Sequence, residues 1–235
     1  MTRLCALIIA CILASTACSL RAQERSFTVL VKGNLTTQSD IFLNPTSPDP
    51  VARAQSTTLE DFPGIGVEVQ YQFPGMNIAL GVSADRISVR TPQPITVSFR
   101  ELVPAEDGYT VIPLEVTGYF IIPASGEMFK IFMGGGLGAY IGTRRYSIAG
   151  VEARTVDDRP GFGIHVLGGV SVHFTGWLSL VAEMKFRDLQ FRSTDAFAVS
   201  RIPYGSTYIN VSQTPFASTI HTDGIVFQIG AGVSF

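Results

Sequence analysis

Cysteine is confined to Cys5, Cys11 and Cys18, all within the first eighteen residues of a 235-residue chain. A chain processed beyond them holds no thiol, which excludes a disulfide scaffold, a thiolate metal site and a cysteine nucleophile. Charge is scarce too: Asp, Glu, Lys and Arg make up 15% of residues, against about 25% in an ordinary soluble domain. The net charge of −2 comes with no basic stripe and no acidic tail, so nucleic acid is not an expected partner. Long hydrophobic runs are also missing. Beyond the first residues no apolar stretch approaches the ~18 that a membrane helix needs, yet mean hydropathy is positive at +0.30. The apolar residues must be distributed in some other way.

The start of the chain has Arg3, the run LCALIIACILA from Leu4 to Ala14 and a small, polar tail, which is the layout of a secretory signal. Residues 1–22 are therefore expected to be removed after Ala22, with Ala17 as the alternative, leaving 23–235 as one domain. Acylation of Cys18 would need Leu three residues earlier, where Ser15 stands.

From there on the hydrophobicity alternates. In GIVFQIGAGVSF, Ile225, Phe227, Ile229, Ala231, Val233 and Phe235 share one parity, while Gln228, Gly230, Gly232 and Ser234 share the other. A period of two is a strand with one apolar face. The same pattern runs through LSLVAEMKF, FGIHVLGGVSVHF, MFKIFMGGGLGAYIG, VIPLEVTGYFII, MNIALGVSAD, IGVEVQYQF and, most weakly, SFTVLVKGN. That makes eight strands of about ten residues, the length at which a tilted strand crosses a bilayer. Their connections alternate in length. Long ones lie near 36–63, 89–109, 147–161 and 192–224; short ones are Pro74-Gly75, PASGE and Thr175-Gly176-Trp177. In an outer-membrane barrel the external loops are long and the periplasmic turns short, and an even strand number then leaves both termini in the periplasm, an order this chain fits.

The chain thus resembles the small eight-stranded outer-membrane barrels, the OmpA transmembrane domain and OmpX among them. The resemblance spans roughly Ser26 to Phe235 and is most specific at the end. There Phe227, Ile229, Val233 and the terminal Phe235 resemble the signal read by the barrel-assembly machinery. It implies an all-β, eight-stranded antiparallel up-and-down transmembrane barrel in the outer membrane, with lipid and that machinery as partners. A soluble barrel of lipocalin type is the alternative. Against it, the polar parity holds mostly Gly, Ser and Thr rather than the Lys and Glu of a wetted face, and Phe73, Phe120, Phe129, Phe174, Trp177 and Phe235 gather at the short-turn ends.

A barrel of eight strands is filled by side chains, so inward charges must pair. Parity points Glu68, Asp85, Glu115 and Glu183 inward, with Lys32, Lys130, Arg144, Lys185 and Arg187. If the short turns set the registers, Glu68 faces Gly81, Glu115 faces Gly136 and Glu183 faces Gly169, each carboxylate crossing a residue with no side chain. His173 opposite Ser179 is the nearest thing to a catalytic pair. Its closest acid on that strand, Glu183, is four residues away from Ser179, about 13 Å at ~3.3 Å per residue. No enzyme, metal or cofactor is expected. The expected role is structural or surface-interactive, through four external loops that meet an extracellular ligand; the alternatives are a narrow channel and a lipid-modifying enzyme.

Overall fold

The computed structural model describes residues 26–96, 102–123, 126, 128–205, 207–222 and 224–235. The segment expected to be a secretory signal, its expected cleavage positions and Cys18 lie outside the described residues. Eight long strands carry the fold: β1 Phe27–Phe42, β2 Ser56–Gln72, β3 Ile78–Pro92, β4 Ala105–Ile121, β5 Phe129–Arg144, β6 Gly161–His173, β7 Leu178–Asp188 and β8 Ile225–Ser234. Each pairs antiparallel with its sequence neighbour. β8 returns to β1, with Lys32 opposite Gly230 and Val29 opposite Val233, so no edge is left in the barrel wall. The chain ends meet at the short-turn side, where the Phe235 N–H donates to the Phe27 carbonyl at 2.8 Å.

Outward-facing side chains form an apolar belt around the wall. Val31, Ile65, Val67, Leu80, Val82, Leu114, Val116, Leu137, Ile164, Val166, Leu180, Phe227 and Ile229 are all exposed. A wetted barrel reverses this arrangement, and no soluble monomer tolerates such a continuous surface. The belt is the lipid-facing wall of a transmembrane barrel. At its short-turn edge Phe73, Phe120, Phe129, Phe174 and Trp177 are exposed together, and Phe27, Tyr71 and Phe73 stack with ring centroids 4.9 and 5.1 Å apart.

The strands run to 17 residues rather than about ten, because they continue beyond the belt on the long-loop side. Residues expected to be loop form sheet there. Gln190–Ala196 prolongs β7, pairs with Arg154–Arg159 and Phe216–His221, and the latter pairs with the end of β1. Over this extension a second apolar core gathers Val103, Ala105, Ile148, Ala153, Phe197, Ile202 and Ile209.

Two registers differ from those expected. Glu68 pairs with Ser83 while Gln70 faces Gly81. Glu115 pairs with Gly138 while Thr117 faces Gly136. In the first case the cause is Pro74. A two-residue hairpin loop needs positive φ at its first central residue, which proline cannot adopt. Pro74-Gly75 instead forms the centre of a four-residue turn closed by Met76 N–H to the Phe73 carbonyl at 3.1 Å. Gly75 takes φ +70°, and pairing resumes two residues later. In the second, Ile122 N–H already bonds the Ile131 carbonyl at 2.9 Å, so the turn is again longer by two. The third hairpin has the expected register, with Gly169 opposite Glu183 and His173 opposite Ser179.

Candidate functional site

The lumen is stacked in layers. Nearest the short turns, Leu30, Ala79, Tyr119, Phe132, Leu167 and Val181 form an apolar layer. Toward the long loops a larger one contains Ile41, Leu59, Phe62, Ile87, Val89, Tyr109, Val111, Tyr140, Leu189, Phe191 and Ile220. Between them lie the buried charges.

Seven of the nine charged residues assigned inward from parity share this middle layer, in two groups. Lys32 bridges Glu68 and Glu183, the latter at 2.7 Å. Glu68 also accepts from Tyr119 at 2.5 Å and from Gln70 at 2.8 Å. In the second group Glu115 takes Lys185 at 2.8 Å and Arg187 Nε at 2.7 Å, and Arg187 also holds Asp85. Tyr140 donates to Glu115 at 3.1 Å. All seven are nearly sealed from solvent. At this burial a charge persists only when it is paired and hydrogen-bonded, and each of these is.

Small residues make the room. A Cβ on Gly138 would lie 2.9 Å from Glu115 Cγ, one on Gly169 would lie 3.0 Å from Glu183 Cγ, and one on Gly81 would collide with the Glu68 carboxylate. Acids do lie over glycines, although Glu115 meets Gly138 rather than Gly136 and Glu68 reaches Gly81 along the diagonal rather than straight across.

The other two residues leave the central layer. Arg144 lies above the upper apolar layer and grips Asp107 with two nitrogens, at 2.9 and 2.6 Å. Its guanidinium carbon stacks 4.9 Å from the Tyr146 ring and 5.7 Å from that of Phe216, tying the barrel mouth to the loop core. The spacing puts Asp107 in the long connection near 89–109, where parity assigns no facing. Nearby, burial raises the Asp195 carboxyl above its usual range, a shift opposed by hydrogen bonds from Ser193 and Thr155. Lys130 lies below the lower apolar layer and has no carboxylate partner among the described residues.

His165, across from Arg187, contacts Thr117 Oγ1 through Nε2 at 2.9 Å. His173 contacts Ser171 at 3.2 Å rather than Ser179, and no carboxylate among the described residues orients it. No group of metal-binding side chains occurs among the described residues. At the C-terminus Phe227, Ile229 and Val233 face outward in the belt. Asn34, Thr36 and Gln228 are buried within the polar layer, with side-chain atoms that bond to no protein group. Sequence reasoning did not single them out, since neutral polar residues of inward parity carry no charge to count.

No protein-family model matches the chain, and no curated protein matches it in sequence. Solved structures do resemble it. The outer membrane protein OprG from Pseudomonas aeruginosa aligns with a TM-score of 0.56 at 13% identity, over 91% of this chain and 98% of that one. Neisserial surface protein A aligns with a TM-score of 0.47 at 12% identity, over 89% and 97%. Closed strand pairing, apolar belt and structural likeness agree, and the fold is that of the small eight-stranded outer-membrane β-barrels.

Proposed function

We propose that the protein is an integral outer-membrane barrel with a closed lumen, both termini in the periplasm, whose work is done by the folded loop cap it holds above the membrane. The observation that carries this reading is the layered lumen: two apolar layers enclose a charged one whose members are paired. Such a filling holds the wall rigid and leaves little for solutes to follow. The cap has its own apolar core and an exposed hairpin, Arg201–Tyr204 with Thr207–Asn210, that carries Tyr208 at 66% exposure. Exposed aromatics on a rigid support suit surface interaction. The lipid-modifying reading gains no support, because the Ser171–His173 contact faces the lumen and has no acid beside it among the described residues.

The channel reading rests on one observation, the unpartnered polar atoms of Asn34, Thr36 and Gln228, groups of the kind that hold ordered water. A conducting path along them would still have to cross both apolar layers.

Orientation is tested by an epitope placed at the Gly205 turn and, separately, one placed before Ser26. The Gly205 epitope is expected to bind antibody on intact cells, and the other only after the outer membrane is opened. The reverse pattern would overturn the proposed topology.

A further inference from the structure

The lumenal cations Lys32, Lys185, Arg187 and Arg144 each face a carboxylate. Lys130 does not. It sits half-buried at a neck between two spaces at the short-turn end of the barrel. The inner one, about 60 Å³, is walled by Leu30, Phe132 and Val181 and reaches up to Tyr119. The outer one, about 440 Å³, opens past Met128, Phe174 and Thr175. Lys130, His173, Thr28 and Gln72 border both.

Among the described residues no Asp or Glu lines either space. Glu68, in the charged layer above, is occupied by Lys32, Tyr119 and Gln70. If Ser171 donates its hydroxyl hydrogen to His173 Nε2 across their 3.2 Å contact, the ring proton sits on Nδ1, a second donor beside the ammonium group. A partly desolvated cation with a neighbouring N–H and no carboxylate lining its space among the described residues is suited to receive an anion. The apolar wall behind it adds a second requirement. A space of 60 Å³ admits about four water-sized groups, enough for a tail of about three carbons.

We propose that this mouth binds a short-chain organic carboxylate, its headgroup on Lys130 and His173 and its tail turned inward against Leu30, Phe132 and Val181. Charge fixes the head, and the enclosed space limits the tail.

The test follows the His173 ring resonances of the refolded protein during titration with sodium butyrate, butyramide and sodium sulfate at fixed ionic strength. Butyrate is expected to shift them saturably while leaving those of His165, beyond the apolar layer, in place. Butyramide has the tail without the charge and sulfate the charge without the tail; each is expected to bind roughly tenfold more weakly or worse. Lys130→Met is expected to weaken butyrate by a similar factor, and Lys130→Arg to retain it. Equal binding of butyrate and butyramide, or of butyrate and sulfate, would overturn the proposal, as would the absence of saturation. Should Lys130→Met fail to fold, the comparison of the three probes on the wild-type protein still decides.

Discussion

Glu115 balances two bases, Lys185 and Arg187, inside a layer nearly sealed from bulk solvent. Replacing it with Gln leaves Lys185 without a carboxylate, whereas Arg187 keeps Asp85. Removing one partner of a buried pair costs about 3–5 kcal/mol, so Glu115→Gln is expected to lower the stability obtained from urea titration in lipid vesicles by about 3 kcal/mol. An unchanged midpoint would mean that the layer is wet. At this scale parity placed the charged residues on the lumen side but could not choose their partners. Those depend on registers, and Pro74 alone moves one register by two positions. Lys130 and Arg144 have the same parity as the rest, yet they fall outside the central layer because height along the barrel is not a property of parity.

The strands explain where the sequence reading stopped. In β3 the outward positions run Ile78, Leu80, Val82 and then Arg86, Ser88, Arg90, while inward ones run Gly81, Ser83, Asp85 and then Ile87, Val89. The alternation is unbroken, but its sense inverts where the strand leaves lipid for water. Apolar parity taken as outward therefore ends at that point, and the extension reads as loop in the sequence. The facing itself is open to test on β6. Arg at Val170, on the lipid face, is expected to cost about 2–4 kcal/mol in a refolding titration. At the adjacent Ser171, which lines the inner lumenal space behind the mouth, Arg is expected to cost less because its long side chain can extend toward water at the opening. Equal losses at the two positions would contradict the assignment.

Taken as a whole, the molecule closes on itself where β8 meets β1, and Phe235 ends that seam beside Phe27. Deleting Phe235 is expected to reduce the amount of folded, heat-modifiable barrel in the outer membrane while secretion across the inner membrane continues. Normal levels would show that the terminal aromatic is not part of an assembly signal. The strand count and the order of long and short connections were legible from composition and spacing, since lipid imposes the period of two on every wall strand. The layering of the lumen was not, because apolar residues such as Leu30, Leu167 and Val181 share their parity with the charges and sit only one or two turns of the pleat away. That layering is the central claim, and single-channel recording of the refolded protein in planar bilayers tests it most directly. Apolar layers on both sides of a paired charge layer predict a silent membrane; stable, reproducible conductance steps would contradict a closed lumen.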